Sequence, residues 1–163
     1  MKPVSDRISR TTPWKDQRGA VAVEMAIMLP LFAILLLGTF EFGSIVHDHQ
    51  ALQNAAREGA RFSANPSNWV SGSSNPSATL ATIQNRVVAY LQGEHITVSA
   101  SNVTVDQNYP ITVGTLTITG SHITINYQRS LIFPGITNLI PSLGTLTLQG
   151  NSVFRNVYIN YGS

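Results

Sequence analysis

Apolar and polar positions alternate along this 163-residue chain in three successive regimes. The first eighteen residues are polar and charged, with Pro3 and Pro13 and no periodic apolar face, which reads as a disordered leader. Gly19 to Phe40 follows as GAVAVEMAIMLPLFAILLLGTF, apolar almost throughout. The twenty-one residues from Ala20 to Phe40 span about 31 Å as a helix, close to the hydrocarbon thickness of a bilayer. From Ile45 to Ala64 the apolar positions thin to one side: Ile45, Leu52, Ala55, Ala56, Gly59 and Phe62 recur at helical spacing. The pattern predicts one long helix over 20–64, transmembrane in 20–40. Pro30, mid-span, has no N–H to give the Ala26 carbonyl, so a kink or local melting is expected there. Gly38, Gly43 and Ser44 are small enough to allow close helix approach. Asn65-Pro66 ends the helix, because the residue before proline avoids the helical region.

Beyond it, Pro66 to Pro76 is a Ser/Asn/Gly-rich loop, with Trp69 as the residue that would anchor it. Ser77 to Gln92 reads as a second helix, capped by Ser77, striped by Leu80, Ile83, Val87, Val88 and Leu91, and stopped by Gly93. The period then falls to two. Ile96, Val98, Val103 and Val105 alternate with polar residues, as do Leu116, Ile118, Ile123, Ile125 and Tyr127. A two-residue turn at Gly120-Ser121 would pair Ile118 with Ile123 and Leu116 with Ile125. Leu131 to Ile140, with Pro134 and Gly135, reads as a loop or short helix. Thr145 to Leu148 and Val153 to Ile159 read as the last strands. The fold class is α+β: a long N-terminal transmembrane helix extends into a small head (65–163) with a short second helix and an antiparallel sheet of about four strands. The threonine-rich positions suit a sheet with one wet face.

Charge sharpens the division. Five of the ten Lys and Arg residues lie in the first eighteen: Lys2, Arg7, Arg10, Lys15 and Arg18. From His47 onward five arginines face four acids, so the basic pI of about 9.2 belongs to the leader and not to a nucleic-acid footprint on the head. A basic flank before the span puts the N-terminus in the cytoplasm and the head outside it. The apolar run is too long for the core of a cleaved secretory signal, and small-x-small sites after Phe40 are weak. There is no cysteine, which excludes disulfides, thiolate catalysis and cysteine zinc sites.

Glu24 is the anomaly. A charge inside a membrane segment costs roughly 2.5–3.5 kcal/mol at the helix centre and less near the interface, so such residues are functional hypotheses by default. The residues around it carry a resemblance. A basic leader ending in Gly19, a small Ala20 and an acid five residues into the mature chain resemble the class III signal of type IV pilin-like proteins. The stretch RGAVAVEMAIMLPLFAILLLGTFEFG, with NAAREGARF at Asn54 to Phe62, resembles the TadE-like family, the minor pilins or pseudopilins of tight-adherence (Flp) systems.

The resemblance implies that a prepilin peptidase cleaves Gly19–Ala20, removing 1–19. It implies single-pass residence in a bacterial inner membrane and assembly with other pilins on a pilus platform. The ammonium of a mature Ala20 lies one turn from Glu24, and a neighbouring subunit's ammonium could neutralise that acid. The alternative for Glu24 is a carboxylate snorkelling to the interface. Glu41, in the family's EFG motif, falls at the outer interface and is expected to be solvated. Arg57, Glu58 and Arg61, with Pro30, complete the set of candidate assembly residues; the plainer reading of the three charges is a solvated rim.

No catalytic grouping is expected. The chain has no G-x-S-x-G, P-loop or H-E-x-x-H. His47 and His49 are two apart, a spacing that points them to different faces of a helix and does not suit a metal. His95 and His122 read as surface or edge residues. Asn102-Val103-Thr104 is a sequon that matters only where a glycosylation system exists. The expected protein is a non-enzymatic, cofactor-free structural subunit. The competing readings are an uncleaved signal-anchored binding or adhesin module and, less well supported, a tethered enzyme. A head of about a hundred residues would crowd a thin filament if repeated in every subunit, which suggests a tip, base or priming position.

Overall fold

A computed structural model describes residues 17–70, 76–131 and 144–156. The leader before Gln17, the core of the expected loop at 71–75, the Leu131–Ile140 stretch past its first residue, and the end of the expected last strand lie outside the described residues. The chain falls into two units, Met1–Phe40 and Glu41–Ser163, considered separately here.

Helix α1 runs Gln17–Ser63, through Pro30, without interruption. Local melting at Pro30 does not occur: the missing hydrogen bond is confined to one turn, and the helix resumes on both sides of it. In the first unit the large apolar side chains from Val21 to Phe40 are 46–68% exposed. In the second unit only one face of α1 is covered, and Ala51, Leu52, Ala55, Ala56, Gly59, Ala60 and Ser63 are buried there. The periodicity identified this face. Its dominance by alanine and glycine lets neighbouring elements approach closely.

Helix α2 runs Pro76–Gly93 and contributes Ile83, Val87 and Leu91 to the core. It begins at Pro76, not at a Ser77 cap. Proline is pre-set for the first helical position and has no N–H to leave unpaired there. Its end also differs from expectation. Gly93 is still helical, and the left-handed residue is His95 (φ 62°). Ile96 N–H donates to the Leu91 carbonyl (2.9 Å) and His95 N–H to the Gln92 carbonyl (3.1 Å). This is a Schellman cap, closed by contact between buried Ile96 and Leu91. Ile96 and Val98 are buried yet form no strand; they pack into the core from an extended connection.

The sheet has three strands among the described residues, not about four: β1 (Val103–Val113), β2 (Leu116–Ser130) and β3 (Thr145–Arg155), in the order β1-β2-β3, all antiparallel. The turn between β1 and β2 is Gly114-Thr115, not Gly120-Ser121. Val113 pairs with Leu116, and Gly114 has φ 64° at the first turn position, as a type II′ hairpin requires. The expectation failed for a physical reason. The pairing slips by one residue between Asp106 and Tyr109, a bulge that reverses which face the following residues of β1 occupy. In β2 the apolar positions switch parity at the same level, from Leu116 and Ile118 to Ile123 and Ile125. That switch imitates a turn in the sequence. Gly120 lies mid-strand instead, where a Cβ would meet Ile111 Cδ1 at 2.4 Å.

β3 is likewise one continuous strand where two were expected, because Gly150 sits inside it. A Cβ at Gly150 would lie 2.6 Å from the Leu52 carbonyl oxygen of α1. The glycine lets helix backbone and strand backbone approach at a distance no side chain would permit. Gly59 does the same for α2, its missing Cβ replaced by Val87 Cγ2. The core is therefore a three-way contact of α1, α2 and the inner face of the sheet, with Ile123, Ile125, Val103 and Leu148 as the sheet's contribution.

These contacts predict opposite signs for two substitutions. Gly150→Ala should destabilise the folded head by about 1–3 kcal/mol through overpacking. His95→Gly should stabilise it by about 0.5–1 kcal/mol by relieving the left-handed residue. Urea midpoints of the full-length chain in detergent, read by protease resistance, check both.

Candidate assembly surfaces

The first unit presents the residues of the pilin-like signal on an exposed helix. Gly19 and Ala20 lie within α1, and a Cβ at Gly19 would meet nothing within 4 Å. Glu24 is exposed and has no ion-pair partner among the described residues. Its neighbours Met25, Met28, Leu29 and Phe32 form a purely apolar groove with Leu31 and Leu35. One helix among the described residues is long and apolar enough to cross a membrane, and it is this one.

In the second unit Glu41 departs from expectation. It is buried, only 7% exposed, and not solvated. The cause is Arg129 on β2, whose Nη2 lies 3.4 Å from Glu41 Oε1 and whose Nη1 donates to Asp48 Oδ2. Glu41, Ile45, Asp48 and Leu52 recur at steps of three and four, so both acids share the helix face that forms the core. At Arg129 the sheet supplies one guanidinium between two carboxylates separated by two helical turns. His47 Nδ1 stands 3.6 Å from Asp48 Oδ1 at the solvent side of the cluster. Neither oxygen of Glu41 has a hydrogen bond, and Arg129 Nε is also unpartnered. A charge trio of this kind, with Glu41 buried and Asp48 and Arg129 half-buried, fixes register more than it adds stability. Asp48 and Arg129 were not singled out in the sequence. The one available signal was that Asp48 stands seven residues from Glu41, in phase with the apolar face.

Arg57, Glu58 and Arg61 occupy the other edge of α1. Glu58 Oε1 accepts from Arg86 Nη2 at 3.0 Å, and Arg86 lies over the Phe62 ring, 5.7 Å from its centroid. Arg57 and Arg61 are exposed and have no ion-pair partner among the described residues. They line a hollow of about 530 Å³ with Glu58, Tyr90, Ser152 and Phe154. The far end of α1 is held differently. The bulge in β1 aims Gln107 inward, where its Nε2 donates to the Ser63 carbonyl (3.1 Å) and the Asn68 carbonyl (2.8 Å), while its Oε1 accepts from Val70 N–H. Ser121 Oγ donates to Ser63 Oγ at 2.6 Å. One neutral side chain thus fastens the helix end and the short 3-10 turn Pro66–Asn68 to the sheet.

Residues 19–61 match the family model described as TadE-like protein. The stretch that carried the resemblance is thus similar to TadE-like proteins, a family associated with the Tad pilus. Neither a curated protein nor a solved structure matches the chain significantly. The matched span holds Gly19, Ala20, Glu24, Pro30, Glu41, Arg57, Glu58 and Arg61, and it stops before the sheet begins.

Removing Arg129 leaves buried Glu41 and half-buried Asp48 without their counter-charge, a change that costs up to about 3–5 kcal/mol, the loss expected for a fully buried pair. Arg129→Ala should therefore lower the urea midpoint of the full chain far more than Arg86→Ala, whose exposed pair contributes at most about 1 kcal/mol.

Proposed function

We propose that this protein is a minor pilin or pseudopilin of a tight-adherence pilus, matured by a prepilin peptidase between Gly19 and Ala20. The observation that supports the reading is the TadE-like match over 19–61, whose first residue is Gly19. The leader's basic residues keep the N-terminus cytoplasmic, and the head folds outside the inner membrane. Cleavage creates an ammonium at Ala20, at the start of an exposed apolar helix. Glu24, one turn further on, is unpaired within the described residues. The helix dipole already favours an acid near an N-terminus. In an assembly the acid pairs with the Ala20 ammonium of a neighbouring pilin, removing two charges that lipid disfavours. Such a pair selects register and partner more than raw affinity. The chain then supports pilus biogenesis and surface adhesion from a tip, base or priming position, with the platform and other pilins as partners. Its role is structural and calls for no cofactor.

The competing reading, an uncleaved anchored module, differs at one bond. Co-expressed with its prepilin peptidase, the membrane-extracted protein should start at Ala20 by N-terminal sequencing, and Gly19→Val should retain Met1. An intact N-terminus in the unsubstituted chain would favour the anchored module. Glu24→Val should leave processing unchanged while lowering incorporation into pili about tenfold or more, the loss expected for about 1.4 kcal/mol of pairing.

A further inference from the structure

The two edges of the sheet are treated differently. At β1 the exposed edge is blunted along its length. Gln84 Nε2 occupies the Val103 carbonyl (2.9 Å), the bulge interrupts the strand at Gln107–Asn108, and Pro110 has no N–H to offer. None of these devices is found at β3. Its eleven residues pair with β2 in one unbroken register, from Thr145↔Ser130 to Arg155↔Gly120. It holds no proline, no lysine and no acid, and its only charge is Arg155. Asn156 N–H donates to the Thr119 carbonyl, so the even-numbered residues of β3 turn their backbone groups to β2. The odd-numbered residues, Thr145 to Arg155, turn theirs to the open side, and none of those groups has a partner among the described residues. Among the described residues this edge is open, and it carries no charge before Arg155; such an edge is a template for one more strand.

What lies beside that edge says which strand. Val153 and Phe154 are 39% and 44% exposed, large apolar side chains left uncovered at the same end of β3. The hollow next to them is lined on the α1 side by Asn54, Arg57, Glu58 and Arg61; Glu58 is taken up by Arg86, whereas the two arginines have no acid partner among the described residues. With Glu58 neutralised by Arg86, this corner is apolar with two unpaired basic groups, Arg57 and Arg61. We infer that the open edge of β3 accepts an extended segment of a partner protein as a fourth strand, with branched apolar residues and acids on the side facing α1. The acids pair with Arg57 and Arg61, the apolar residues cover Phe154, and the main chain bonds the odd-numbered residues of β3. This deepens the subunit-contact reading of Arg57 and Arg61. It does not depend on cleavage at Gly19, so its failure and a failure of processing are separate results.

The test uses the full-length chain in lipid nanodiscs and a blocked, fluorescently labelled nine-residue peptide. Threonine alternates in it with valine, valine, glutamate and glutamate; the reversed sequence samples the opposite strand polarity. At least one of the two should bind by anisotropy. The version with lysine for glutamate should bind about tenfold more weakly or worse, and the Arg57→Ala/Arg61→Ala chain should lose a similar factor. N-methylating alternate peptide nitrogens should abolish binding in one register and spare it in the other, a readout that leaves the protein's own fold untouched. Asn151→Pro, which removes an outward N–H, should weaken binding; Thr112→Pro, on the blunted edge, should not. Equal binding of acidic and basic peptides, indifference to N-methylation in both registers, or no binding of either acidic peptide would overturn the inference.

Discussion

Everything in this protein depends on one helix that meets two different surroundings. Up to Phe40 its side chains are apolar on all sides and exposed on all sides; from Glu41 onward a single face is buried against α2 and the sheet. A helix apolar all round needs an apolar environment, whereas a one-faced helix needs a folded partner and water. The transition falls within one residue, at Phe40-Glu41, and it is guarded by charge. Glu41 and Asp48 would be costly to bury on the core face, and Arg129, 81 residues beyond Asp48, offsets that cost.

Beyond the charge trio, the head is held by close backbone approach. Ala51, Ala55, Ala56, Gly59 and Ala60 keep the helix thin, and Gly150 lets β3 lie against Leu52. Small residues here have the effect that large ones have in most cores: they shorten distances so that backbone and branched side chains fill the space. The far end of α1 is tied by hydrogen bonds through Ser63, Gln107 and Ser121. A salt cluster at Glu41 and Asp48 and a neutral network at Ser63 fix residues 41–63 of the helix against the sheet.

Much of this was legible in the sequence because it is local. Both helices, their core faces and the α+β class follow from periods read within twenty residues. The errors share one cause. A bulge, a cap or an ion pair is settled by what packs from elsewhere in the chain. Gly120 looked like a turn because the apolar parity shifts there, but the shift follows the slip in β1 opposite. Gly93 looked like a helix stop, yet the left-handed position fell to His95, whose cap is closed by Ile96 reaching the core. Glu41 looked solvated because its counter-charge, Arg129, stands alone among polar residues of β2 with no helical spacing to relate the two. Gly150 gave no sign that it makes room for α1.

The central claim, that α1 exchanges lipid for protein at Phe40-Glu41, can be tested directly because the chain has no cysteine. Single variants Ile34→Cys, Gln50→Cys and Leu52→Cys would be treated, in lipid membranes opened to both sides, with a membrane-impermeant maleimide. Gln50→Cys should react at once. Ile34→Cys, exposed in the folded chain, should stay unreactive until detergent removes the bilayer. Leu52→Cys should stay unreactive in detergent and label only after urea unfolds the head. Labelling of Ile34→Cys at the rate of Gln50→Cys, before detergent, would contradict the account.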